Sequence, residues 1–245
     1  MRMKLENYIK KISSFIAGVA VYMMVAAFYL GAKGFGFDEN NNIVFLKQAN
    51  AAEQTIEAEP KEIPLNFAFP QDHTLGDRNA PVTVYEYSSF GCSHCADFHL
   101  DVLPKIKEQY VDKGLVRVVF VPLPIDKNSM DASLLAECVA KDKYFAFADV
   151  LYKKQRDWML SFDPQKVLLQ YAAFSGVGND KAKACLKNDI NAAQILKDRK
   201  DALEILGIAG TPSFVVSSKN KNELVAGFKS YDSFVEIIEK HLPKK

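Results

Sequence analysis

The sequence predicts an α/β domain in which a βαβ half and a ββα half are separated by a block of helices. Two apolar runs rich in β-branched residues, at 82–87 and 115–121, flank a segment whose apolar residues have helical spacing. From about 126 to 207 the pattern is helical. Two short strands and a closing helix then complete the order.

The βαβ half contains a predicted helix from residue 92 to about 111, and Gly114 stops this helix before the second strand. A helix that joins two such strands implies a parallel pair with a right-handed crossover, buried on both faces. Glu86 lies in the first of these strands, so we expect a buried carboxyl group there.

The helical block and the ββα half follow from the same kind of pattern. Asp163 and Pro164 indicate a helix start, because an acid caps backbone N–H groups and proline suits the first turn. The predicted helices are 129–142, 145–158, 163–174, 179–186 and 189–206, followed by strands at 214–216 and 223–226 and a helix at 231–242.

Length and composition indicate one well-cored domain with additional segments. The chain has 245 residues, of which 49% are hydrophobic and 25% are charged, as in ordinary globular proteins. Its 31 Lys and Arg and 30 Asp and Glu give a net charge of +1. Because there is no basic excess to neutralise a phosphate backbone, nucleic acid is not expected as a partner.

Residues 1–32 are predicted to be a signal-anchor or a signal peptide. From 13 to 32 the chain is apolar apart from two serines, and about 20 such residues can cross a bilayer as a helix. Basic residues precede this run, whereas only Lys33 closely follows it, so the positive-inside rule sends the rest of the chain out of the cytoplasm. A retained anchor is favoured, because the small-residue site at 49–51 lies far beyond the apolar run.

Residues 33–71 are predicted to be a polar stalk or linker, followed by the folded domain at 72–245. Apolar runs at 43–46 and 63–69 are also compatible with short strands or with an element through which the chain forms a homo-oligomer. His73 and His241 are expected at the surface of the domain. Export places all the cysteines in an oxidising compartment, where disulfides persist.

The chain has four cysteines, and two of them form a Cys-x-x-Cys pair where the first strand turns into the first helix. A free thiol is only about 3% ionised at neutral pH, but unpaired N–H groups at a helix start favour the thiolate of Cys92. His94 lies between the two cysteines and can stabilise the thiolate further. A stabilised thiolate makes the Cys92–Cys95 disulfide a strong oxidant, and Cys95 is placed to resolve the mixed disulfide.

A zinc site is the main alternative for this pair. Cys92, Cys95 and His99 supply three ligands, whereas structural zinc needs four and the sequence has no second close pair. Redox chemistry is therefore favoured over metal binding.

Two motifs resemble the DsbA-like thiol:disulfide oxidoreductases. The first runs from 75 to 87 (LGDRNAPVTVYEY) into 91–95 (GCSHC), and the second is 207–216 (GIAGTPSFVV). The resemblance covers about 72–242 and implies a thioredoxin fold with a helical insertion at about 126–207, between the βαβ and ββα halves.

The same resemblance implies roles for particular residues. Pro212 is expected to be a cis-proline that faces the cysteine pair, and Thr211 is expected to line the groove for the client peptide. Glu86 matches a buried acid of the family that influences proton transfer at the buried cysteine. Some members carry a second disulfide in the insertion, which Cys138 and Cys185 can form.

These observations predict an oxidase that introduces disulfides into exported, cysteine-containing client proteins in the periplasm. It needs no dissociable cofactor, but a membrane redox partner must reoxidise its dithiol. Ser93 and Thr211 depart from the best-known family member, and a threonine before the proline is shared with isomerases. Isomerase or reductase activity therefore stays open as an alternative, and a metal-binding thiol chaperone is a third.

Overall fold

A five-stranded mixed sheet forms the centre of the domain in this computed structural model, which describes residues 63–243 and the strands at 35–37 and 43–45. The strand order is β3-β5-β4-β6-β7. Its strands are β3 (His73–Leu75), β4 (Val82–Ser88), β5 (Val116–Pro122), β6 (Ser213–Ser218) and β7 (Lys221–Ala226). Every side chain of β4 is buried, because this strand has a neighbour on each edge and packing on both faces.

The first half has the predicted parallel connection. Strands β4 and β5 pair in parallel, with Val82 opposite Val116, and the intervening chain is helical. This helical segment, the first helix, consists of α1 (Ser93–Asp97), a π turn (Phe98–Val102), α2 (Leu103–Ile106) and a second π turn (Lys107–Val111). Strand β3, which the sequence pattern did not reveal because it has only three residues, pairs antiparallel with β5.

The helical insertion lies between β5 and β6, as expected. Its helices are α3 (Lys127–Ala136), α4 (Tyr144–Lys153), α5 (Gln155–Met159), α6 (Pro164–Phe174), α7 (Asn179–Cys185) and α8 (Asp189–Glu204). Asp163 caps α6 by accepting from the Lys166 N–H at 3.0 Å, and Pro164 is the first residue of that helix. The predicted second helix is divided in two at Lys154.

The closing half consists of the antiparallel strands β6 and β7 and of α9 (Tyr231–His241). Strand β6 also pairs antiparallel with β4, so the two halves of the chain share one sheet. The fold order βαβ, helical insertion, ββα is therefore confirmed.

Three apolar clusters hold these layers together. The first helix and α9 pack on the sheet face that carries Val82 and Val84. The opposite face carries Tyr85 and Tyr87 and is covered by the end of α8 and by Ile63. The third cluster is the core of the insertion, and it includes the buried Cys95.

Residues just before position 72, the predicted start of the domain, pack on its sheet. Ile63, placed in the predicted stalk, is 5% exposed in the cluster with Tyr85, and the Phe69 ring stacks on the Tyr85 ring at 4.1 Å. Part of the predicted stalk, residues 63–71, therefore contributes side chains that pack on the domain predicted to start at 72. Apolar aromatic residues just before a domain pack on it when the adjoining sheet face is otherwise uncovered.

Most of the N-terminal predictions concern residues that the structure does not describe. Two three-residue strands, β1 (Phe35–Phe37) and β2 (Ile43–Phe45), pair antiparallel within the predicted stalk. The predicted anchor at 13–32 lies outside the described residues. Among the residues that are described, no helix is both long and apolar enough to span a membrane.

Two histidines are less exposed than expected. The His73 side chain is 10% exposed, and its Nε2 lies 2.7 Å from Glu137 Oε1 while its ring stacks on Tyr144. His241 is buried, with its two ring nitrogens near Ser218 and Glu223. A polar partner for each ring explains how both are accommodated away from water.

Candidate active site

Cys92 and Cys95 lie where the central strand β4 passes into the first helix. Cys92 is the N-cap residue with extended backbone angles, φ −90° and ψ 125°, and the helix begins at Ser93. The sequence placed Cys92 in the first turn, so the observed position is one residue earlier. An N-cap residue faces the free N–H groups of the first turn directly.

The surroundings of Cys92 stabilise its thiolate. Hydrogen bonding from the Cys95 thiol is the largest cause that lowers the pKa of Cys92, to about 5, against a smaller opposing effect of burial. Hydrogen bonding by the Thr211 side chain and by the backbone N–H groups of Cys95 and His94 lowers this pKa further. A sulfur that keeps its negative charge near neutral pH is both a good nucleophile and a good leaving group.

Cys95 has the opposite character. Its side chain is inaccessible to solvent, and burial is the main cause that raises its pKa above the ordinary thiol value. The adjacent Cys92 raises the pKa of Cys95 as well, whereas hydrogen bonding by Ser88 and by the Ser89 N–H, 3.5 Å from the Cys95 sulfur, lowers it. The two sulfurs thus form one unequal pair, in which the accessible one is ionised and the buried one holds the proton.

The loop before β6 faces the pair. The Thr211–Pro212 peptide bond is cis, as the resemblance implied. The Cys92 sulfur lies 3.3 Å from the carbonyl oxygen of Thr211, to which the protonated thiol donates. The loop is held by the Ser213 hydroxyl, which donates to the Gly210 carbonyl at 2.7 Å, and by the Gly227 N–H, which donates to the Pro212 carbonyl at 2.9 Å. Residues 119 positions apart in the sequence therefore meet at the reactive sulfur.

The backbone N–H and the ring of His94 have different surroundings. Its backbone N–H is one of the groups that lower the pKa of Cys92. Its ring is 68% exposed, with Nδ1 3.6 Å from Asp97 Oδ2 and the ring centroid 6.4 Å from that of Phe228.

Glu86 is completely buried, six residues before Cys92. Neither of its carboxyl oxygens has a hydrogen-bond partner among the described residues. Burial is the main cause that raises the pKa of Glu86, and the nearby His99 and Ser88 act in the opposite direction. A raised pKa favours the neutral carboxyl group, which can give up or accept a proton.

Sequence reasoning missed Gln155. Its side-chain amide donates to the Phe90 carbonyl at 2.7 Å and to the Cys92 carbonyl at 2.9 Å, and so ties the start of α5 to the turn that carries the reactive sulfur. The glutamine gives no recognisable signal in the sequence, because its partners lie more than 60 residues away.

Cys138 and Cys185 are joined by a disulfide within the insertion, with their Cα atoms 6.2 Å apart. Cys185 is the last residue of α7, and Cys138 lies two residues beyond the end of α3 rather than inside it. Within residues 63–243, no group of three or more His, Cys, Asp or Glu side chains is arranged to hold a metal ion.

Comparison with known proteins identifies the family. A family model described as Thioredoxin matches residues 69–240. Disulfide bond formation protein D of Bacillus subtilis is 32% identical over 176 residues, which cover 70% of this chain and 77% of that protein. A Rickettsia bellii protein, provisionally named a protein-disulfide oxidoreductase, is 29% identical over 171 residues. That match covers 68% of this chain and 66% of the Rickettsia protein, just under two thirds of its length.

Solved structures agree with this result. Wolbachia pipientis α-DsbA1 superposes with a TM-score of 0.66 and 31% identity, over 72% of this chain and 93% of that chain. Oxidised BdbD of Bacillus subtilis gives a TM-score of 0.61 and 30% identity, over 69% and 92% of the two chains. The chain therefore belongs to the thioredoxin family and, within it, to the DsbA-like thiol:disulfide oxidoreductases.

Proposed function

We propose that this protein is a protein disulfide oxidase, which introduces disulfide bonds into exported client proteins through Cys92 and Cys95. The observation that carries the proposal is the inequality of the two sulfurs. The pKa of Cys92 is lowered to about 5, and that of the buried Cys95 is raised. Because the dithiol form gains the stabilised thiolate, the disulfide form is a ready acceptor of two electrons.

The reaction balances in two exchanges. A client thiolate attacks the Cys92 sulfur of the Cys92–Cys95 disulfide, and Cys95 leaves and takes up a proton. A second client thiolate then attacks the client sulfur of the mixed disulfide, which releases Cys92 as a thiolate. The client has lost two electrons and gained a disulfide, and the protein holds them as a dithiol.

Thr211 and Pro212 are proposed to align the client segment. The Thr211 carbonyl is 3.3 Å from the Cys92 sulfur, so a peptide that pairs with this loop brings its own cysteine to the same place. Cys92 is only half-buried, which leaves it open to such an approach. The His94 ring, when protonated, is proposed to add to the thiolate stabilisation that its N–H provides.

A redox titration against glutathione tests the direction of the reaction. An oxidase equilibrates at a potential more oxidising than glutathione and oxidises a reduced two-cysteine peptide stoichiometrically. A potential well below that of the compartment, combined with faster refolding of a scrambled substrate, would establish the isomerase instead. Thr211 is the residue that keeps this second function open.

The location and the partners are also proposals. Export follows from the apolar run at 13–32 and its basic flank, with the anchor retained in the inner membrane and the catalytic domain in the periplasm. A membrane redox partner is required because each turnover leaves a dithiol. Mass spectrometry of the mature N-terminus tests the anchor: a chain that begins near residue 52 would show that the segment is cleaved.

A further inference from the structure

A layer of buried polar side chains lies between β4, the first helix and α4. Glu86 and Ser88 are two residues apart on β4 and so lie on one face of the strand. The Ser88 hydroxyl is 2.9 Å from the Tyr152 hydroxyl, and the Ser88 side chain is near enough to Cys95 to lower the pKa of its thiol. The strand face that carries Glu86 is therefore the one that faces the buried cysteine.

His99 connects this layer to the protein surface. It follows Cys95 by four residues on the first helix, a spacing that brings Cβ atoms within about 5–6 Å. The His99 side chain is 1% exposed, and its Nε2 lies 2.8 Å from the Asp149 carboxylate, which is 47% exposed. The ring centroids of His99 and Tyr152 are 4.7 Å apart.

The hydrogen bond to Asp149 leaves one nitrogen of the His99 ring free. The carboxylate accepts a hydrogen bond, so Nε2 carries the hydrogen and Nδ1 has a free lone pair. This Nδ1 is buried and has no hydrogen-bond partner among the described residues, as is also true of both Glu86 carboxyl oxygens. An imidazole that is oriented by a carboxylate and free at its second nitrogen is suited to move protons.

The exchange reaction needs such a group. When a client thiolate breaks the Cys92–Cys95 bond, Cys95 departs as a thiolate in a place that water does not reach, and it must be protonated there. When the dithiol is reoxidised, Cys95 must lose the same proton before it attacks the mixed disulfide. Glu86 is equally inaccessible to solvent and cannot exchange protons with it directly.

We propose that His99 and Asp149 form a proton relay that links the buried Glu86–Cys95 pair to solvent. On reduction, neutral Glu86 gives its proton to the Cys95 thiolate and regains one from Nδ1 of His99, while Nε2 takes up a proton from solvent at the exposed Asp149 end. The ring is then left with its hydrogen on Nε2, as in this structure, where Cys92 and Cys95 are free thiols. On reoxidation each transfer runs in reverse, so protons balance over the cycle. The proposal rests on the oxidoreductase function and adds two residues that never touch the client.

Titratable groups face His99 from three elements: β4, the first helix and α4. These titratable groups are Glu86 on β4, Cys95 on the first helix, and Tyr144, Asp149, Tyr152 and Lys153 on α4. Hydrogen bonding to His99 is the main cause that lowers the pKa of Asp149, so Asp149 stays ionised and keeps the ring oriented. Lys153 lies 3.5 Å from the other Asp149 oxygen at the surface.

Rapid mixing of the reduced full-length protein with oxidised glutathione tests the relay. Attack by Cys92 forms a mixed disulfide, and attack by Cys95 then releases glutathione; acid quenching and mass spectrometry count both species. Asp149→Asn and His99→Gln are compared with wild type across the pH range. Asp157→Asn is the matched control, since Asp157 is an exposed carboxylate that lies 3.4 Å from Lys154, much as Asp149 lies near Lys153.

In both relay variants we expect the second step to slow by about 10- to 100-fold and to lose the pH dependence of wild type, while the first step changes by less than about twofold. The control should match wild type in both steps. If the second step of Asp149→Asn keeps the wild-type rate and pH profile, the His99–Asp149 contact only stabilises the fold, and the proposal fails.

Two further outcomes are distinguishable. If His99→Gln does not fold, Asp149→Asn decides alone, because that side chain is half exposed. If wild type proves to be a reductant in the glutathione titration, the oxidase function fails but the relay is still tested, since both directions use the same Cys95 step.

Discussion

The two cysteine pairs of this protein differ in role: one is arranged for redox reactivity and the other for stability of the fold. Cys92 and Cys95 lie three residues apart at a helix start, with one sulfur half-exposed and the other buried. Cys138 and Cys185 lie 47 residues apart and join the segment just after α3 to the end of α7 in the insertion. A disulfide between residues three apart closes a short loop and constrains the unfolded chain little, but at a helix N-terminus one of its sulfurs is stabilised as a thiolate. A disulfide between distant residues closes a long loop and so constrains the unfolded chain strongly. Reactivity thus comes from the surroundings of a disulfide and stability from the loop it closes.

Replacing the reactive sulfur should have the largest effect. Cys92→Ser is expected to reduce the rate of peptide oxidation by at least about 1,000-fold, to the uncatalysed level, because no other thiolate is available at the site. The rate is measured with a reduced two-cysteine peptide, and circular dichroism checks that the fold is kept. Substantial residual oxidation would show that the Cys138–Cys185 pair also exchanges with clients.

Removing the other pair should lower stability instead. Cys138→Ala/Cys185→Ala is expected to decrease the free energy of unfolding by about 4 kcal/mol in the chain-entropy model. The two cysteines are 47 residues apart, and without their disulfide the unfolded chain is no longer restricted by a closed loop of this size. Urea unfolding measures the change. The peptide oxidation rate of the folded variant should stay within about threefold of wild type. A large loss of that rate would show that the second disulfide influences the reactive pair.

The stability of the reduced protein should depend on pH through Cys92 and not through Cys95. The pKa of Cys92 in the folded protein, about 5, lies below its ordinary value of 9.0, so the thiolate stabilises the folded, reduced protein. This stabilisation is complete above about pH 9, decreases as the pH falls, and is absent below about pH 5. Because the pKa of Cys95 is raised, its thiol stays protonated through this window and contributes little.

Ultraviolet absorbance of the thiolate, followed against pH, should therefore give a midpoint near 5 for the reduced protein. The free energy of unfolding of reduced wild type, relative to reduced Cys92→Ser, should increase from pH 5 to pH 9. A midpoint near 9 would remove the physical basis of the proposed oxidase.

Thr211 should have the smallest of these effects. Thr211→Val keeps the shape of the side chain but removes its hydroxyl, so the pKa of Cys92 should rise and the disulfide should become a weaker oxidant. One hydrogen bond to a charged group contributes roughly 1.5–3 kcal/mol, so the equilibrium constant with glutathione should shift by about tenfold or more. Thr211→Ser, which retains the hydroxyl, is the matched control, and an equal shift in both variants would contradict this role.

Much of this arrangement could be anticipated from local patterns. The strands at 82–87 and 115–121 and the helix start at Asp163 were placed within one residue, because buried strands and capped helices leave a signal in neighbouring residues. Strand β3 and the packing of Ile63 were missed, since a three-residue edge strand and one buried side chain carry no periodicity. His241 was misplaced for a related reason: its burial depends on Ser218 and Glu223, which reach it from β6 and β7.

The sequence alone determined that a Cys-x-x-Cys pair begins a helix after a buried strand, that a helical block interrupts the domain, and that Glu86 is buried in that strand. Those features depend on side-chain spacing along a single element, where the chain itself sets the distances. Only the tertiary structure decided that the Thr211 carbonyl oxygen lies 3.3 Å from the reactive sulfur, that Gln155 holds the turn, and that the buried His99 lies 2.8 Å from Asp149. The physical reason is that the last three depend on how separate elements pack, and burial and hydrogen bonding between distant residues set the pKa values that the chemistry needs.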